Sequence, residues 1–351
     1  MTMRNAIAAL IFAVPCALGF SSAASAQQAI TIASWGGAYA KSQRETYFEP
    51  FSEKYDVQIT DVVWDDDVNA IQRQVLSGEY QWDIVDAQQD TVLDGCDLGI
   101  LDPIDYGLMG GREAFLEGAA LDCGVGTVSW STIFAYNAET LKGTPPTKIA
   151  DFFDLEAFPG KRGLYRSPKV ALEWALMADG VPKEQIYGQL ATSKGLDQAF
   201  KKLDTIKSEI VWWTDPAEPA KLLIDGTVVM TAGWNGRIYD AAQAKHKDLA
   251  IVWDAQGLEF DYWAIPKGAP NTSLAMRFIA FASQPEIQKN QSKFIPYGPA
   301  TYAAAALIPP EIHKNLPTAT ANSQNVLVVN NRFWARYGAE LNKRFQAWIA
   351  N

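Results

Sequence analysis

The stretch ITIASWGGAYAKSQRETYFEPFSEKYDVQITDVV, residues 30–63, decides the fold class. It opens on a short β-branched apolar run, Ile30-Thr-Ile-Ala33, and turns at Gly36-Gly37. A helix-period pattern follows from about Ala38 to Lys54, then a second strand-like run, Val57–Val63. The same order repeats downstream. Asp67 to Ser77 reads as a helix with an acid at its start and Gly78 at its end. Trp82–Asp86 reads as a third strand and Thr91–Asp97 as a short helix. Strand and helix in alternation predict α/β layers with a largely parallel sheet.

Further along, Val125–Asn137 is one long extended run. Thr144-Pro-Pro146 and Phe158-Pro-Gly160 then punctuate the entry to a second lobe. Within it the spacing predicts helices at Ala171–Asp179, Leu196–Ile206 and Ala217–Ile224, and strands at Ile210–Trp213 and Thr227–Thr231. Ile251–Trp253 and Tyr262–Ile265 read as two more strands separated by a turn at Gly257. After Gly268 the pattern is helical to the end, at Leu274–Ala282, Pro285–Ser292 and Phe333–Ile349.

A length of 351 residues suits two domains of roughly 150 residues each. With 48% apolar and 20% charged residues, the chain can bury a core. Its net charge of −10 leaves no surplus of Lys and Arg to displace counterions, which argues against nucleic acid as a partner. The start reads as an export signal: Arg4, an apolar run Ala6–Phe20, and the small-residue site Ala24-Ser-Ala26, with cleavage expected after Ala26. The expected location is therefore the periplasm. Export permits oxidised cysteines. Cys96 and Cys123 remain after cleavage and are expected to pair, closing a loop of about 27 residues worth roughly 3 kcal/mol.

Catalytic chemistry is thin. The two histidines, His246 and His313, lie in Lys-rich helical surroundings, and no G-x-S-x-G elbow accompanies them. No C-x-x-C or H-E-x-x-H spacing offers zinc ligands. Asp65-Asp-Asp67 with Asn69 imitates a calcium loop, but Ala70 and Leu76 stand where Gly and the bidentate Glu are needed. The acidic run reads as a solvated loop and helix cap. No metal and no cofactor are expected.

What the sequence offers instead is aromatic rings, carboxylates and amides at strand ends. Trp35 and Tyr39 follow the first strand; Gln88, Gln89 and Asp90 follow the third, with Gln89 taken as the ligand contact. Trp130 lies on the long run, Trp234, Asn235 and Arg237 follow another strand, and Asp261 adjoins Tyr262 and Trp263. In open α/β sheets, ligands bind beyond the carboxyl ends of strands. Ring faces attract ammonium groups and a carboxylate fixes one, so the set suits an amine ligand.

Trp35-Gly-Gly-Ala-Tyr39, Trp82-Asp-Ile-Val85, Phe158-Pro-Gly-Lys-Arg162, Trp234-Asn-Gly236, Asp261-Tyr-Trp-Ala-Ile-Pro266, Gln284-Pro-Glu286 and Ile295-Pro-Tyr-Gly-Pro299 come in one order across the exported chain. Each motif is loose alone, and the ordered set is specific. The chain resembles the periplasmic spermidine/putrescine-binding proteins of bacterial ABC importers. The resemblance implies a two-lobe periplasmic binding protein fold of type II with crossing hinge strands. It implies hinges near Asn137 and near 254–260. One lobe would hold 27–137 plus about 261–351, the other about 138–260. It further implies that Trp35 and Tyr39 form an aromatic wall, Trp234 stacks from the second lobe, Asp261 grips an amine, and Tyr297 lines the pocket. The implied partner is an inner-membrane ABC permease, and the implied state is a monomer.

One departure stands out. Where the polyamine binders carry amine-gripping acids, this chain reads Leu164-Tyr-Arg-Ser-Pro-Lys169. Arg166 in the cleft would repel a second ammonium and welcome a carboxylate. A polyamine receptor is therefore the first reading and a receptor for a zwitterionic ω-amino acid such as 4-aminobutyrate the second, with Arg166 or Arg237 as the carboxylate clamp. A periplasmic enzyme on the same scaffold and an envelope protein without its own ligand are the readings from other classes.

Overall fold

In the computed structural model, which describes residues 27–350, the opening motif folds as strand, helix, strand. Strand β1 (Gln28–Ser34) pairs in parallel with β2 (Val57–Val63) and with β3 (Ile84–Gln88). A helical rod, Gly37–Tyr55, containing a π-helical segment at Arg44–Phe48, returns the chain between β1 and β2. Asp67 caps the next helix, Val68–Ser77, by accepting from the Asn69 amide at 2.9 Å, and Gly78 ends it in the left-handed region.

The remaining long strands are β4 (Val125–Asn137), β5 (Arg162–Tyr165), β6 (Ile210–Trp213), β7 (Met230–Trp234) and β8 (Leu249–Ala264). Two short pairs, β9 (Gly298–Pro299) and β10 (Leu327–Val328), interrupt a tail expected to be wholly helical. The sheet order is β2-β1-β3-β8-β4-β7-β5-β6. Pairing is parallel at each end and antiparallel at the centre, where β3, β8, β4 and β7 meet. The sheet is thus mixed, because β4 and β8 run the length of both halves in opposite directions.

The turn expected at Gly257 is a bulge inside one 16-residue strand. Thr132 faces Gly257 while Phe134 faces Val252, so extra residues of β8 are looped out. Ala255 takes φ 58° there, and its backbone finds partners elsewhere: the Asn325 carbonyl at 3.1 Å and the Trp174 indole at 2.7 Å. Because β4 keeps pairing on both sides, the irregularity is absorbed without ending the strand.

Two main apolar cores result. Ile32, Phe51, Trp263, Phe278 and Ile279 belong to the first. Phe134, Phe152, Trp174, Leu203 and Trp213 belong to the second. Ile133 points to a third cluster with Leu223 and Ile238, on the other face of the second lobe's sheet. The last helix, Asn331–Ala350, expected with the first lobe as part of the segment after about 261, packs against the helix Gln89–Asp97 of that lobe and against the second core as well. Its Phe333, Trp334, Leu341 and Phe345 are buried in the second core, Arg344 pairs with Asp197 at 2.6 Å, and the Trp348 indole donates to Asp204 at 2.7 Å. The apolar stripe of this helix thus buries its length against the second-lobe helices while its first turns meet the first lobe. Cys96 and Cys123 form the expected disulfide. The expected export signal, from Arg4 to the site at Ala26, lies outside the described residues.

Candidate functional site

A fourth, small aromatic cluster sits apart from the three cores: Tyr39, Trp130 and Tyr297, with Trp35 and Trp234 packed against it. Together with Gln88, Pro216, Arg237 and Asp261 they line a narrow cavity of about 40 Å³ between the two lobes.

Each wall follows from its element. Trp35 leaves the end of β1, and Gly36 and Gly37 then take positive φ, 67° and 59°, to start the helix that carries Tyr39. The Tyr39 hydroxyl donates to Asp86 at 2.8 Å, and the Gln43 amide donates to the same oxygen. Its ring lies 5.7 Å from that of Tyr297. Trp130 projects from β4, and its indole donates to Asp261 Oδ1 at 2.8 Å. Trp234 is the last residue of β7, three residues beyond the end expected for that strand. It meets Trp130 edge to face at 5.9 Å and Trp213 at 5.8 Å. Asn235, a candidate from its position, is structural: it accepts from the Ser131 amide at 3.0 Å and donates to the Pro296 carbonyl at 2.7 Å, fixing the segment that carries Tyr297.

Two charges of opposite sign face this cavity. Asp261 is 5% exposed, and burial pushes its carboxyl up to about 7. The Trp130 indole and the cations Arg237 and Lys169 pull it down, while Glu259 pushes it up. Asp86 behind Tyr39 is likewise raised by burial and by the charge of Asp261. Arg237, in the first turn of the helix Asn235–Lys245, crosses from the second lobe to donate to the Gly36 carbonyl at 3.3 Å. Its guanidinium occupies the space that a Cβ on Gly37 would need. Two buried donors of this wall, Trp35 Nε1 and Arg237 Nε, have no hydrogen-bond partner among the described residues.

Of the residues expected from sequence, the structure brings Trp35, Tyr39, Trp130, Trp234, Arg237, Asp261 and Tyr297 to one cavity. Gln89 and Arg166 are not there. β3 runs to Gln88, two residues further than expected, so Gln88 faces the cavity and Gln89 opens the following helix, accepting from Asn331 at 3.0 Å. Arg166 is exposed, its backbone amide bonded to the Trp213 carbonyl at 3.0 Å. The cation that turns inward from this segment is Lys169. Its Nζ lies 2.6 Å from Glu259, 3.7 Å from Asp90 and 3.3 Å from Gln88 Oε1. Sequence reading missed Pro216, which has no chemical signal, and Glu259, which alternation with Asp261 along β8 could have found.

Residues 46–320 match the family described as bacterial extracellular solute-binding protein. The chain is 42% identical over 334 residues to the gamma-aminobutyric acid-binding protein of Pseudomonas aeruginosa, covering 95% of this chain and 94% of the relative. It is 26% identical over 184 residues to the spermidine/putrescine-binding periplasmic protein of Escherichia coli, about half of each chain (52% and 51%). Among solved structures, an ABC transporter substrate-binding protein from Bradyrhizobium japonicum superposes with a TM-score of 0.85 at 33% identity, covering 92% of this chain and 99% of the other. With a cleft between two lobes joined by long central strands and a family match over most of its length, the chain belongs to the bacterial extracellular solute-binding proteins.

Proposed function

We propose that the chain is the periplasmic receptor of an ABC importer for a short ω-amino acid of the 4-aminobutyrate class, bound as a zwitterion. The observation that carries this is the pairing of one carboxylate, Asp261, with one guanidinium, Arg237, on the wall of one small aromatic cavity. Asp261 and the faces of Trp130 and Trp234 suit an ammonium. Arg237 and the indole of Trp35 suit a carboxylate, which would accept from the donors that have no partner among the described residues.

The polyamine reading, first from sequence, gives way to its alternative. A second ammonium next to Arg237 would be repelled, and the relative similar over nearly the whole chain is a gamma-aminobutyric acid-binding protein, whereas the polyamine-binding relative matches half of it. Capture works by hinge closure: Arg237 comes from one lobe, Trp35 and Tyr39 from the other, and the ligand completes the contact between them. The relatives are solute-binding proteins, and on this reading the ligand is carried and released without chemical change.

Calorimetric titration of the exported protein with 4-aminobutyrate, 5-aminovalerate, putrescine and spermidine tests this. The two amino acids should bind and the two amines should not. Binding of the amines alone refutes the reading.

A further inference from the structure

Glu259 stands two residues before Asp261 on β8, so both side chains leave the same face of the strand. Asp261 faces the ligand cavity. Glu259 is 4% exposed and faces Lys169, whose side chain is 15% exposed. The Lys169 ammonium is surrounded by Glu259 at 2.6 Å, Asp90 at 3.7 Å and the Gln88 side-chain oxygen at 3.3 Å. Two carboxylates and an amide oxygen are the acceptors that would hold a free primary ammonium. Gln88 also lines the ligand cavity, so this cage adjoins it directly.

We propose that the cage of Glu259, Asp90 and Gln88 is a second ammonium subsite that the chain fills with its own Lys169, restricting the receptor to ligands with a single ammonium. The proposal rests on the reading of Asp261 as the ammonium partner of the ligand. Lys169 lies between β5 and the helix Ala171–Ala178, on the second lobe, whereas Gln88 and Asp90 belong to the first. Its ammonium therefore bridges the lobes as the far end of a longer cationic ligand would. Two residues along a strand span about 7 Å, the reach of a four- or five-carbon diamine held at Asp261 and Glu259. Removing Lys169 leaves Glu259 buried without its cation, a state that recruits a replacement charge.

The test uses calorimetry on the exported protein, Lys169→Met, and Lys169→Met combined with Glu259→Gln. The probes are putrescine, cadaverine and 4-aminobutyrate. Lys169→Met should bind a diamine at least tenfold more tightly than the unsubstituted protein, and adding Glu259→Gln should remove that gain. Lys169→Gln carries the same expectation if Lys169→Met folds poorly. If neither folds unaided, putrescine must restore a cooperative melting transition. A folded Lys169 variant that binds diamines no more tightly, or an unfolded one that putrescine does not restore, overturns the proposal. If the unsubstituted protein binds 4-aminobutyrate while the variants gain nothing, only the second subsite is refuted. If the unsubstituted protein binds putrescine and not 4-aminobutyrate, the ω-amino acid reading falls, and the subsite with it.

Discussion

Replacing Asp261 with asparagine keeps an acceptor for the Trp130 indole, which lies 2.8 Å away, and removes one buried negative charge. Two effects of opposite sign follow. In the ligand-free protein, burial raises the carboxyl from 3.8 to about 7. A carboxyl whose folded value lies above its unfolded value favours folding while protonated, and that advantage is lost as pH rises toward 7. By pH 8 the ionised group costs roughly 4 kcal/mol, as an upper estimate from the size of the shift. Asp261→Asn should therefore raise the melting temperature of the ligand-free protein at pH 8 by several degrees. The bound state responds the other way. An ammonium about 4 Å from the carboxylate gains about 4 kcal/mol at an effective dielectric constant near 20. Losing it should weaken 4-aminobutyrate roughly 100- to 1,000-fold. Because binding requires the ionised form, the unsubstituted protein should bind about tenfold more weakly at pH 6 than at pH 8, and the variant should show no such slope. Calorimetry at both pH values, with melting curves of the free proteins, reads all of these. Unchanged affinity in Asp261→Asn, or a flat pH profile in the unsubstituted protein, refutes the assignment of Asp261 as the ammonium partner.

Arg237→Gln should lower 4-aminobutyrate affinity by about 100-fold, since it removes a charge-assisted contact to the ligand carboxylate; titration with butylamine, which lacks that carboxylate, should show little change. Arg166→Ala should leave both binding free energy and stability within about 0.5 kcal/mol of the unsubstituted protein, because this exposed side chain lies outside the cavity lining and the core; a large loss of binding would return Arg166 to the site. Reducing Cys96–Cys123, which closes a separation of 27 residues, should destabilise by roughly 3 kcal/mol and lower the melting temperature by several degrees, with ligand affinity retained in the folded protein.

Seven of the nine expected ligand contacts share one cavity, and the two exceptions show where sequence reasoning stops. Extending β3 by two residues keeps Gln88 on the strand, facing the cavity, and makes Gln89 the first residue of the helix, turned away from it. The strand end depends on how far β3 can pair with β8, whose residues lie far along the chain. The segment after β5 offered two cations, and composition could not say which turns inward. Val170 takes φ 68°, an unusual conformation for a β-branched residue, immediately after Lys169. The Lys169 side chain reaches Glu259 and Asp90, while Arg166 stays in solvent.

By itself the sequence determined the alternation of strands and helices, the aromatic residues at their ends and the pair of cysteines. Those signals act within a few residues: side-chain periodicity, capping acids, and glycines at Gly36, Gly37 and Gly78 that free the backbone to turn. Only the tertiary structure decided that β8 is continuous through its bulge, that the last helix joins the second core, and that Arg237 lines the ligand cavity while Lys169 is engaged by acids of β8 and the first lobe. Each of those outcomes depends on burial and charge contacts between segments remote in the chain, which no local pattern records.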